Sequence, residues 1–85
     1  MGKTNTRRPA WTATLGAMLD NGVSCRATCT KCDAWRDIDL EALAAKIGLD
    51  TTLWNKRTRC RLTDGCAGRN RFMEGSRGMF RLMED

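Results

Sequence analysis

Cys29-Thr30-Lys31-Cys32 and Cys60-Arg61-Leu62-Thr63-Asp64-Gly65-Cys66 are the stretches that decide how this 85-residue chain folds. A C-x2-C turn brings two sulfurs to adjacent corners of a tetrahedron, and a second turn can supply the other two. The second loop is longer and needs Gly65 to bend the chain back to Cys66. Cys29, Cys32, Cys60 and Cys66 are therefore the expected ligands of one metal ion, a single structural Zn2+. An all-thiolate shell suits zinc without redox chemistry, although a mononuclear iron centre uses similar geometry. Closed by four sulfurs, such a site leaves no position for water or substrate, so its role is structural.

Length and cysteine count favour the same reading. A chain this short buries only about 60% of the surface that its unfolded form exposes, and small cores commonly need a disulfide, a metal or a partner. Five cysteines leave one unpaired in any disulfide scheme. The segment from Lys3 to Leu19 is too short and too interrupted for an export signal or a membrane span, so a cytoplasmic location and no membrane partner are expected. A reducing compartment again favours metal over disulfide. Cys25 alternates with Val23 and Ala27 and reads as a buried free thiol.

Other chemistries fit poorly. A thioredoxin-like site needs its C-x-x-C at a helix start within a βαβ pattern, which this chain lacks. There is no histidine to act as a base, and the carboxylates read as a solvated face. The chain is not expected to be an enzyme.

The elements follow from hydrophobic period and caps. Met1 to Ala10 lacks an apolar period and reads as a flexible basic arm, with residues 11–85 forming a single four-cysteine metal-binding domain. Met1-Gly2-Lys3-Thr4-Asn5-Thr6 also fits a loose N-myristoylation pattern, one that recurs by chance. Thr12 or Thr14 can cap a short helix through Leu15, Met18 and Leu19 that stops at Asn21-Gly22. Val23 to Thr28 alternates as a half-buried strand, and Ala34 to Ile38 returns with Trp35 and Asp37 on one face. Asp39 caps a helix whose core stripe is Leu40, Leu43, Ala44 and Ile47, ended by Gly48. Asp50-Thr51-Thr52 offers a cap for a turn carrying Leu53 and Trp54, before a strand into Cys60. Asn70 to Met73 and Met79 to Leu82 suggest a terminal hairpin across Glu74 to Gly78. The expected fold is small α+β and zinc-ribbon-like: two cysteine knuckles, short antiparallel strands, an inserted central helix and a short N-terminal one.

With Thr14-Leu15-Gly16, Cys29-Thr30-Lys31-Cys32, Asp39-Leu40-Glu41-Ala42-Leu43, and Leu53-Trp54-Asn55-Lys56-Arg57 leading to Arg59-Cys60-Arg61 and Gly65-Cys66-Ala67-Gly68-Arg69, the chain resembles a family of small alphaproteobacterial tetracysteine proteins. The resemblance runs from Thr14 to Leu82. It implies a cytoplasmic, bacterial metal-binding protein and brings no activity with it. Asp33 departs from the pattern, since a small or glycine-like residue often follows a knuckle cysteine.

Charge separates the candidate partners. The formal charge is +5; four thiolates and one divalent ion lower it by two, to about +3. Lys56, Arg57, Arg59, Arg61, Arg69 and Arg71 surround the second cysteine pair with Asp64 alone among them, whereas Asp33, Asp37, Asp39, Glu41 and Asp50 lie mid-chain. Those six cations can neutralise phosphates, which points to nucleic acid or a nucleoprotein complex, with Trp54 or Trp35 available to stack on a base. The alternative is a protein-protein interaction adaptor using Ala42 and Ala45 of the helix and the apolar tail Met73, Met79, Phe80 and Met83. Solvated arginines and core methionines are the plain readings of the same residues.

Overall fold

The structure, a computed structural model, describes residues 9–76 and 78–85; the N-myristoylation pattern and most of the expected arm lie outside them. Pro9 caps a 3-10 turn over Ala10–Thr12. Helix α1 (Leu15–Asp20) starts at Thr14, whose hydroxyl accepts from the Ala17 N–H, and Gly22 turns the chain out at φ 64. Of the two candidate caps, Thr14 therefore serves the helix and Thr12 serves the core.

A five-stranded antiparallel sheet follows, built from β1 (Ser24–Cys29), β2 (Trp35–Asp37), β3 (Thr58–Arg59), β4 (Arg69–Ser76) and β5 (Met79–Leu82). Its order is β2-β1-β4-β3, and β5 also pairs with β4. β4 is the axis. One edge is taken by β1 from Asn70 to Gly75, and the other is shared end to end by β3 at Arg69 and Asn70 and by β5 from Met73 to Ser76. Among the described residues the architecture is thus small α+β with an antiparallel sheet and two α-helices, as the periodicity predicts.

Alternation sorts the two faces. On β1 the residues Cys25, Ala27 and Cys29 are buried while Ser24 is exposed. Cross-strand partners share a face, so Phe72, opposite Ala27, joins them. Leu15 and Met18 of α1, Leu40 and Ala44 of α2, and Val23, Leu53, Trp54 and Met83 complete the core on this side. Helix α2 (Leu40–Ile47) has the expected ends: the Asp39 carboxylate accepts from the Ala42 N–H and Gly48 closes it at φ 99. Glu41 and Lys46 lie at the ends that suit the helix dipole.

Two expectations need correction. Ile47 is 41% exposed, because the apolar stripe outruns the narrow layer that α2 covers and its last turn passes beyond the core. The terminal hairpin is longer than expected: Glu74, Gly75 and Ser76 continue β4 instead of forming the loop. Gly75 fits there because it faces Phe80 across the pair, and a Cβ at residue 75 would fall 2.7 Å from that ring.

Buried polar contacts lock the N-terminal turn onto the segment that leads to β3. The Trp54 indole N–H donates to the Thr12 carbonyl at 3.1 Å and lies 3.2 Å from its hydroxyl, which itself donates to the Pro9 carbonyl. Thr12 and Trp54 are both buried, so Trp54 is a core residue and no stacking platform. The first N–H groups of α1 are met by the same segment, Leu15 N–H on Thr51 and Gly16 N–H on Leu49. At the other end Asn55, at φ 60, donates its N–H to Met83 and exchanges side-chain and backbone bonds with Asp85. Trp54→Phe keeps the core apolar but strands the Thr12 carbonyl, and should lower unfolding free energy by about 1–3 kcal/mol in urea titration. Thr12→Val in that background should cost about 1 kcal/mol more, because the hydroxyl's own bond to the Pro9 carbonyl is then lost as well.

Candidate metal centre and basic edge

The two cysteine turns close two hairpins at the same end of the sheet. β1 ends at Cys29 and returns as β2 after Cys32, while Cys60 directly follows β3 and Cys66 precedes β4. The turns share a backbone plan. Cys29 N–H donates to the carbonyl of Ala34, two residues past Cys32, and Cys60 N–H donates to that of Gly68, two residues past Cys66. Asp33 occupies the left-handed region at φ 60, a conformation that Asp tolerates better than most side chains. It thereby fills the place expected of a glycine after the first knuckle. Gly65 bends the second loop at φ 78.

This plan brings all four sulfurs within 4.8 Å of one another. Cys29 and Cys66 Sγ lie 3.7 Å apart, and Cys32 and Cys60 Sγ 3.8 Å. A disulfide needs about 2.05 Å, and all five cysteines are free. A tetrahedral ion with metal–sulfur bonds of about 2.3 Å sets its sulfurs about 3.8 Å apart. The four cysteines can hold a metal ion, and each pair near the ideal edge contains one sulfur from each turn.

Hydrogen-bond donors are aimed at the sulfurs. Lys31 N–H lies 3.4 Å from Cys29 Sγ and Gly68 N–H 3.3 Å from Cys66 Sγ. The N–H groups of Cys32 and Lys31 hold the Cys29 thiol below its ordinary value. The Thr63 hydroxyl, followed by the Ala34 N–H, lowers Cys32 to about 6. At Cys66 the Gly68 N–H favours the thiolate, but burial and the neighbouring sulfurs of Cys29, Cys32 and Cys60 outweigh it and push the thiol up to about 11. Four close sulfurs resist common ionisation until a cation joins them. Cys25 stands apart on β1, 2% exposed, its thiol pushed up to about 12 mainly by burial. It faces the helices, as the alternation predicts.

Gly68 is the site residue that the cysteine pattern does not reveal. A Cβ there would lie 2.7 Å from Cys29 Sγ, 2.7 Å from Lys31 Cβ and 3.3 Å from Cys66 Sγ. Glycine lets the start of β4 pass directly beneath the first knuckle. The sequence signal is the Ala67-Gly68 pair after Cys66.

The six cations fall into two groups. Arg71 is clamped by Glu84, Nε to Oε2 at 3.0 Å, and Arg57 reaches the same carboxylate at 3.3 Å. Lys56, Arg59, Arg61 and Arg69 are exposed and have no acidic partner among the described residues. Glu84, far away in sequence, is what divides them. The tail of the adaptor reading is likewise split: Met79 is 61% exposed, whereas Met83 is 1% exposed in the core. Among the described residues no helix is long and apolar enough to cross a membrane. No protein-family model matches the chain, and no curated protein or solved structure shows significant similarity to it.

Gly68→Ala forces two ligand sulfurs and Lys31 aside, so metal affinity in chelator competition should fall about 10–100-fold. Cys25→Ser should keep that affinity, at a stability cost of about 1–3 kcal/mol for the buried hydroxyl.

Arg71, and then Arg57, hold the Glu84 carboxyl below its ordinary value. A depressed folded-state pKa contributes stability that is complete above the usual carboxylate range and lost as pH falls through the lowered value. Glu84→Gln should therefore be less stable than the parent at pH 7, with the gap between their urea midpoints closing below about pH 4.

Proposed function

We propose that this protein is a structural zinc module, non-catalytic, that contacts nucleic acid through the basic edge beside its second knuckle. The observation that carries the zinc reading is the pair of sulfur separations, 3.7 and 3.8 Å, each spanning the two turns. A closed four-thiolate shell offers zinc its preferred tetrahedron and no open position. Binding of about 10–16 kcal/mol, typical of zinc-finger peptides, is large beside the roughly 3–5 kcal/mol that a core of this size supplies, so folding is coupled to the metal.

The nucleic-acid reading is supported by Lys56, Arg59, Arg61 and Arg69, exposed cations with no acidic partner among the described residues, the last three lying on β3, on the loop after it and on β4. Arg57 and Arg71 belong to the same edge but are shared with Glu84. Their contribution to phosphate binding is correspondingly smaller. Exposed cations of this kind neutralise phosphates, and the binding they give weakens steeply with salt.

Native mass spectrometry is expected to find one zinc per chain. Cys29→Ser, Cys32→Ser, Cys60→Ser or Cys66→Ser should abolish cooperative folding. A chain that stays folded in strong chelator overturns the metal reading. Reversal of Arg59, Arg61 and Arg69 to Glu should leave zinc content and folding intact, since exposed charges contribute little to stability, and should remove nucleic-acid binding. If the parent binds neither single-stranded nor duplex DNA or RNA at low salt, the basic edge has another purpose.

A further inference from the structure

The core lies on one face of the sheet, and the opposite face carries a row of arginines and aromatics. Trp35 stands opposite Thr28, and Thr28 opposite Arg71, so these three share that face across β2, β1 and β4. Arg69 lies two residues from Arg71 on the same side, and Arg59 directly faces it from β3. Trp35 is 57% exposed. Its ring is held by the Arg26 guanidinium, 3.9 Å from the ring centroid; the same guanidinium lies 4.0 Å from the Phe80 ring and bonds Asp37 at 3.1 Å. The indole is thereby set on a fixed base with much of its surface in water.

At the other end, Arg59 and Arg69 present like charges directly across a strand pair, an arrangement that is unfavourable on its own. Both line an open cleft of about 480 Å³ with Ala67 and Gly68. An anion between the two guanidiniums reverses the sign of that interaction. From the strand of Trp35 to that of Arg59 there are three interstrand steps, about 14 Å.

We propose that this open sheet face binds single-stranded nucleic acid, with a base stacked on Trp35 and a backbone phosphate seated between Arg59 and Arg69. The inference rests on the nucleic-acid reading above and adds to it the strandedness and the site. Duplex does not suit the arrangement, because its bases are already stacked on each other and cannot reach an indole lying on a sheet. Single strands offer free base faces and a phosphate chain that crosses the strands. The stacking platform on this chain is thus Trp35, at the edge of the sheet opposite the one where most of the cations lie.

Binding of labelled oligo-dT and oligo-U, each of about ten nucleotides, and of a DNA duplex of about ten base pairs tests this with the zinc-loaded full chain at two salt concentrations. Single strands should bind at least about ten-fold tighter than duplex. Trp35→Ala should lose about ten-fold in single-strand affinity with the salt dependence unchanged, and Trp35→Phe should recover most of it. Arg59→Gln with Arg69→Gln should weaken binding and reduce the salt slope by about 0.7, the share of one phosphate on a single strand. Zinc content and circular dichroism verify that each variant is folded. Equal affinity for duplex, or a Trp35→Ala variant that binds as the parent does, overturns the proposal and leaves the basic-edge reading standing. Failure of the parent to bind any of the three probes removes both.

Discussion

Four sulfurs within 4.8 Å of one another can carry their charge together only around a cation, and the sheet is arranged so that two turns distant in sequence bring them to that point. Two turns distant in sequence must meet, so the hairpins that carry them must pair through a common strand. β4 supplies it, taking β1 along one edge and β3 on the other. The core alone is modest, with Leu15, Met18, Leu53 and Met83 its largest fully buried side chains. A metal ion held by the four cysteines would do for the sheet what a second hydrophobic layer does in larger proteins.

The backbone shows how closely the turns are adapted to thiolates. Each first cysteine donates its N–H to the residue two beyond its partner cysteine, and this curls the intervening chain so that further N–H groups point at sulfur. The donors at Lys31 and Gly68 are charge-assisted once the sulfur is ionised, and such bonds are roughly twice as strong as neutral ones. Part of the ionisation cost of the site is thus offset by the peptide backbone before any ion arrives. The divergent values of Cys32 and Cys66 express the remainder, since a sulfur that ionises readily makes ionisation of its neighbours harder.

Much of this was legible in the residues. The caps at Thr14 and Asp39, the stop at Gly48, the alternation of Val23 to Thr28 and the convergence of four cysteines all follow from local rules that tertiary packing has no reason to override. What was not legible depended on partners far along the chain. Glu74 to Ser76 look like a loop because Gly75 weakens a strand, but Glu74 and Gly75 are paired on both sides, with Cys25 and Ser24 of β1 and with Arg81 and Phe80 of β5, and the Phe80 ring packs against that glycine. Arg57 and Arg71 look like free cations until Glu84 folds back between them. Ile47 fits the stripe of its helix, but the width of the layer beneath it is set elsewhere.

The metal end and the open sheet face are linked by one segment. Gly68 lies against Cys29 and Cys66, the next residue is Arg69, and the Gly68 carbonyl holds the N–H of Cys60, which directly follows Arg59. The β3–β4 pairing covers two residues on each strand, too few to fix a register without help, since a one-residue slip would turn every side chain to the other face. Cys60 and Cys66 provide that help, because each must keep its sulfur in the cluster. Held in this register, Arg59 and Arg69 face one another across the pair; shifted by one residue, they would point to opposite sides. The same four cysteines that can meet around a metal ion therefore also bring two like charges side by side, and an anion is the ligand that such a pair can bind.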